Sequence, residues 1–138
     1  MEFPRECADA EAMQAFGAQL AGVAGVIGLD GELGAGKTEL VKGVARACGF
    51  EGVVSSPTFA LLQEYRCPQL VIYHLDFYRV ESAEEVLSLG WDELLDEPGS
   101  LVIVEWASRF PELLPGDALR LQLEILPSGV RRITSVVS

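Results

Sequence analysis

Met13, Phe16 and Leu20 recur at helical spacing, which predicts a first helix over Ala10 to Leu20. The apolar run GVIGLDG, Gly25 to Gly31, stops at a glycine, as a buried parallel strand does. Leu40, Val41, Val44 and Cys48 form one stripe, predicting a helix over Lys37 to Cys48 that Gly49 ends. TFALLQEY (Thr58 to Tyr65) and LVIYHLDFY (Leu70 to Tyr78) read as two strands joined by a turn at Pro68. Ser82 and Glu85 have capping-box spacing and open a helix over Ala83 to Leu89, which Gly90 interrupts before WDELLDE. LVIVEW (Leu101 to Trp106) reads as a buried strand with a carboxylate at its end. LRLQLEI (Leu119 to Ile125) alternates with a period of two, and RRITSVV (Arg131 to Val137) follows a turn at Pro127–Gly129 as a last strand.

Strands alternate with helices early and gather in the middle and at the end. This order predicts an α/β three-layer sandwich around a mixed, partly parallel central sheet. A length of 138 residues suits one domain over 1–138. No apolar run approaches the roughly 18 residues of a membrane span, and the N-terminus lacks the apolar core of a secretory signal. A cytoplasmic location is the expectation. Cys7, Cys48 and Cys67 lie far apart with no CxxC pair, so free thiols are expected rather than a zinc site or disulfide frame. Ten basic residues face 21 acidic ones, a net charge of −11. Gripping nucleic acid takes Lys and Arg against phosphates, so this chain is not expected to hold DNA or RNA alone. A basic partner surface suits it better.

GELGAGKT (Gly31 to Thr38) fits G-x-x-x-x-G-K-[ST], with Gly31, Gly36, Lys37 and Thr38 at the fixed positions. An apolar strand precedes it and a helix follows, the context this motif needs. Glycines let the backbone curl so that successive N–H groups face phosphate oxygens, and the helix adds its positive end. Lys37 supplies a point charge for the β- and γ-phosphates, and Thr38 a hydroxyl for Mg²⁺. The fold is therefore expected to be P-loop NTPase-like. The plain alternative is a glycine-rich turn before a helix.

Mg²⁺ needs oxygen ligands, often including a carboxylate. Asp76 and Glu105 each end an apolar strand. Glu105, after four aliphatic residues, has the cleaner pattern and is assigned to the metal. Asp76 then orients or activates the attacking water, or holds a metal-bound water. Thr58, within SSPTF, could reach Mg²⁺ or the γ-phosphate, or belong to a Pro-fixed turn that starts a strand. His74 could contact phosphate or orient Asp76; a core or edge histidine bonded to backbone is favoured. Arg79 could act on developing phosphate charge, although a salt bridge with Glu81 or Glu84 is favoured. The acidic stretch from Glu81 to Glu97 reads as a solvated face, with partner docking as the minority reading.

Together, GELGAGKT, SPTF, YHLDFYR, an acidic helix with LGWDE, and VEWASRF resemble the bacterial TsaE family (also called YjeE) in order, over roughly residues 25 to 115. The resemblance implies a small ATPase, weak alone, that works with a heteromeric complex of two related proteins. That complex holds the tRNA and makes its threonylcarbamoyladenosine modification, so this chain would meet tRNA through partners. The implied cofactors are ATP and Mg²⁺. The implied nucleotide contacts are Gly31, Glu32, Leu33, Gly34, Ala35, Gly36, Lys37, Thr38 and Glu39, centred on Leu33 to Thr38. Thr38 and Glu105 are the implied metal ligands. Lys37, Asp76 and Glu105 form the implied catalytic set, and Trp106 matches a tryptophan tied to activity or docking. A family arginine near the last strands makes Arg131 or Arg132 a candidate nucleotide contact, with Arg131 placed first; the segment near Asp9 to Glu11 is another.

Two other classes compete with a switch ATPase. A small-molecule kinase would use the same loop with a substrate hydroxyl in place of water, but no lid with paired arginines is visible. A nucleotide-gated binding module would need only the loop, and Asp76 and Glu105 argue against it.

Overall fold

A computed structural model describes residues 2–23, 25–32, 34–57 and 61–136. The strands are β1 (Arg5–Cys7), β2 (Gly25–Asp30), β3 (Leu62–Arg66), β4 (Val71–Asp76), β5 (Ser100–Glu105), β6 (Leu119–Ile125) and β7 (Arg131–Ser135). The α-helices are α1 (Ala10–Gln19), α2 (Lys37–Ala47), α3 (Ala83–Leu87) and α4 (Trp91–Asp96). Short 3₁₀ turns occupy Leu20–Gly22, Ala107–Arg109 and Pro111–Leu113.

All seven strands form one sheet in the order β1-β7-β6-β2-β5-β4-β3. The pairs β2–β5, β2–β6 and β4–β5 are parallel, whereas β1–β7, β6–β7 and β3–β4 are antiparallel. The parallel centre follows from sequence: β2, β4 and β5 are nearly continuous apolar runs, as strands covered on both faces must be.

Alternation along these strands divides the core in two. Ile27, Leu29, Ile72, Leu101 and Ile103 pack with Met13, Phe16, Leu40 and Val44 of α1 and α2. Val26, Tyr73, Leu75, Val102 and Val104 pack with Val86 and Trp91 of α3 and α4. The result is the expected α/β three-layer sandwich with a mixed, partly parallel sheet. Helices α1 and α2 touch backbone to backbone. A methyl group at Gly17 would strike the Leu40 carbonyl, and one at Gly43 the Gln14 carbonyl.

Several boundaries differ from the sequence reading. β1 is a three-residue edge strand, too short to carry a period-two signal. The strand expected from Thr58 begins at Leu62; Thr58, Phe59 and Ala60 lie outside the described residues. Ser82 does precede α3, but its side chain makes no cap bond, and Glu85 accepts from Glu81 N–H at 3.2 Å instead. The last strand ends at Ser135. Among the described residues no helix is long and apolar enough to cross a membrane, and Cys7, Cys48 and Cys67 are free thiols.

Candidate functional site

The loop after β2 and the start of α2 meet at the carboxyl ends of the central strands. That is where open α/β sheets hold ligands. Gly34 and Gly36 adopt φ of 85° and 104°, which an L side chain rarely takes. Gly36 caps α2 and makes no side-chain cap bond to the helix's first-turn amides. Those N–H groups and the positive helix end are therefore offered to an anion. A methyl group at Gly36 would also come within 2.9 Å of Met13 Cε.

Lys37 is buried at this mouth, 5% exposed. Its Nζ donates to the Gly31 carbonyl, reaches the Glu32 carbonyl at 3.5 Å, and lies 4.4 Å from the Trp106 ring centroid. Burial lowers the Lys37 pKa from the ordinary lysine value. The negative charges of Glu105, Asp76, Asp30 and Glu32, in that order, act against the shift.

Asp76 and Glu105 are register partners at the ends of the parallel strands β4 and β5. Both are buried, 5% and 3% exposed. They line one cleft of about 470 Å³ with Gly34, Gly36, Lys37, Thr38, Glu39, Ser56, Tyr78, Arg79 and Trp106. Asp76 Oδ1 accepts from Tyr78 N–H at 2.9 Å. Asp30, the last residue of β2, accepts from Ser108 N–H at 2.9 Å, which pins the turn after β5 beside the loop.

The cleft thus gathers Lys37, Thr38, Asp76 and Glu105. Glu32 is exposed, Ala35 is buried, and Leu33 lies outside the described residues. The Glu39 carboxylate is occupied by Gln14 at 2.6 Å and Lys42 at 3.0 Å, so its side chain ties α2 to α1. Of the two C-terminal arginines, Arg131 reaches the loop, donating to the Gly34 carbonyl at 3.0 and 3.2 Å. Arg132 instead points to Glu6 and Glu124. Arg131 also borders a smaller hollow of about 150 Å³ with Asp9, Met13, Gly34 and Gly36.

His74 corrects the favoured reading of a histidine held by backbone. Its Nε2 lies 2.6 Å from Glu105 Oε2 and its Nδ1 3.0 Å from the Tyr65 hydroxyl. The sequence reading missed the role of Tyr65. A Tyr and a His pointing to one face of neighbouring strands were the only signal. Trp91 is buried in the core. Trp106 takes φ of 57°, ending β5 one residue before the predicted boundary and turning its ring over Lys37.

The donors at the cleft are a hydroxyl and carboxylates, hard oxygen ligands that suit Mg²⁺ rather than a thiol-seeking metal. Among the described residues no group of three or more His, Cys, Asp or Glu side chains converges to cage an ion. Thr38 and Glu105 fit a cation that takes further oxygens from phosphate and water.

A glycine loop between a central parallel strand and a helix, faced by paired strand-end carboxylates, defines a P-loop NTPase-like protein. The family model for "Threonylcarbamoyl adenosine biosynthesis protein TsaE" matches residues 7–133. This chain belongs to the TsaE family. It is 37% identical over 114 residues to the tRNA threonylcarbamoyladenosine biosynthesis protein TsaE of Rickettsia felis, covering 82% of this chain and 65% of that one. Its match to the protein of the same name from Bacillus subtilis is 40% identical over 109 residues, covering 79% and 67%. The crystal structure of Bacillus subtilis YdiB superposes with a TM-score of 0.78 at 30% identity, covering 98% of this chain and 87% of that chain.

Proposed function

We propose that this chain is an ATPase that binds ATP with Mg²⁺, hydrolyses it slowly, and so drives or resets the assembly that makes the threonylcarbamoyladenosine modification of tRNA. The observation that carries this reading is the register pairing of Asp76 with Glu105, which sets two buried carboxylates beside Lys37 at the mouth of the glycine loop. Binding alone needs the loop and lysine; hydrolysis also needs groups that manage a metal and a water.

Amides of the loop and of the first turn of α2 hold the phosphates. Lys37 exchanges the Gly31 carbonyl and the Trp106 ring for phosphate oxygens. Thr38 and Glu105 would hold Mg²⁺, which would offset charge on the phosphate oxygens. Asp76, fixed through Oδ1 by Tyr78 N–H, orients the attacking water. The hollow bordered by Asp9 and Arg131 would receive the nucleoside end. The acidic surface suits an assembly in which basic partners, a heteromeric pair of related proteins, hold the tRNA.

The test is ATP labelled at the γ-phosphate, supplied with Mg²⁺ and candidate acceptors. Inorganic phosphate as the sole labelled product supports hydrolysis. A labelled small-molecule product would make the chain a kinase.

A further inference from the structure

His74 has zero exposure, yet it sits on the face of β4 that packs against α1 and α2. An aliphatic residue would fill that position more cheaply, because a buried imidazole needs partners for both nitrogens. Both are supplied by side chains of other strands. Nε2 meets Glu105 Oε2 on β5 at 2.6 Å, and Nδ1 meets the hydroxyl of Tyr65 on β3 at 3.0 Å. His74 pairs in register with Ile103, so Glu105 is its diagonal neighbour, two residues further along the same face. The neutral tautomer that satisfies these partners carries its proton on Nε2 and donates to the carboxylate, while Nδ1 accepts from Tyr65. The Tyr65 hydroxyl has one proton, for which the Ser55 carbonyl and Gln63 Oε1, each 3.0 Å away, compete with His74 Nδ1.

We propose that His74 is a positioning residue that aims the Glu105 carboxylate into the phosphate cleft, and that Tyr65 holds the ring in place through Nδ1. The proposal rests on the ATPase reading and deepens it. A glutamate on the last residue of a strand has three side-chain torsions. A short bond to an immobile ring removes most of that freedom before any cation arrives, as outer-shell partners of metal ligands do. The phosphate-binding part of the site, built from the loop and α2, has no such dependence on His74. Loss of the ring should therefore separate metal handling from nucleotide binding.

The experiment compares wild type, His74→Leu, His74→Gln and Tyr65→Phe. It measures Mn²⁺ half-saturation of the protein–ADP complex by electron paramagnetic resonance, ADP affinity in EDTA, kcat with ATP, and thermal melting. His74→Leu is expected to weaken Mn²⁺ binding and kcat by about 10- to 100-fold, the range for lost outer-shell partners. Its ADP affinity in EDTA should stay within about twofold of wild type, because the loop amides are untouched. His74→Gln, which keeps an N–H donor in reach of Glu105, recovers most of the loss, and Tyr65→Phe falls between. His74→Leu with wild-type Mn²⁺ affinity and kcat overturns the proposal. So does a loss of equal size in EDTA, which would make the ring merely structural. A wild-type chain that binds ADP under neither condition brings down the ATPase reading itself, a result distinct from both.

Discussion

The Lys37 ammonium rests 4.4 Å from the centroid of the Trp106 ring while donating to the Gly31 carbonyl, so the cation of the glycine loop is stored against an aromatic face at its own cleft. Such a contact is worth roughly 0.5–2 kcal/mol, less than a charge-assisted bond to phosphate. Nucleotide should therefore draw Lys37 away from the ring. Emission from Trp106, read with Trp91→Phe as background, is expected to change on adding ADP and to stay constant in Lys37→Ala. An unchanged signal in a chain that demonstrably binds ADP would exclude this exchange.

The paired carboxylates should separate turnover from binding. Asp76→Asn and Glu105→Gln are each expected to lower ATP turnover by about 100-fold or more, the scale of a lost general-base or positioning group. ADP affinity in EDTA should hold. Equal losses in both measurements would mean that the carboxylates shape the loop rather than the chemistry.

Arg131 and Arg132 are adjacent in sequence and opposite in role. Arg131 holds the Gly34 carbonyl from the last strand, whereas Arg132 pairs with Glu6 and Glu124. Arg131→Ala is expected to weaken nucleotide binding by about tenfold, the scale of one bond involving a charged group. Arg132→Ala should leave it unchanged. Calorimetric titration of both variants checks the difference.

Helix α2 reaches its place because α1 approaches it closely at two glycines. Gly17→Ala and Gly43→Ala each push a methyl group against a backbone carbonyl. Each should destabilise the fold by about 1–3 kcal/mol, as overpacking does. Urea unfolding reads the change as a lower midpoint. Wild-type midpoints would show that the helices separate without strain.

Burial pushes the Tyr65 hydroxyl up to about 12, with a smaller lowering from the Ser55 backbone and a further raising by the Glu105 charge. An acid whose folded pKa lies above its unfolded value, about 10 for tyrosine, favours the fold while protonated. Its contribution is complete below about pH 10 and is lost as pH rises toward about 12. Melting temperature of wild type should thus fall more steeply than that of Tyr65→Phe between these values. Parallel curves would show that the hydroxyl titrates alike in both states.

Much of this was legible in the chain because it is local. The glycine loop, Lys37 and Thr38 sit within eight positions, flanked by an apolar run and an amphipathic stripe. Asp76 and Glu105 announce themselves as acids ending apolar strands, and the parallel sheet places such ends together. The remainder depends on register between strands distant in sequence. Nothing near His74 reveals that β5 brings Glu105 to its diagonal, or that β3 brings Tyr65 to its other nitrogen. Which of two neighbouring arginines faces the loop is likewise decided by the phase of β7 against β6. The left-handed turn at Trp106 has no glycine to mark it.

The most direct test is the threonylcarbamoyladenosine content of tRNA, measured by mass spectrometry, in cells whose only copy of this chain carries Lys37→Ala. Loss of the modification, with the variant folded and present at normal level, is the predicted result. TRNA modified to the wild-type extent in those cells would contradict the account at its centre.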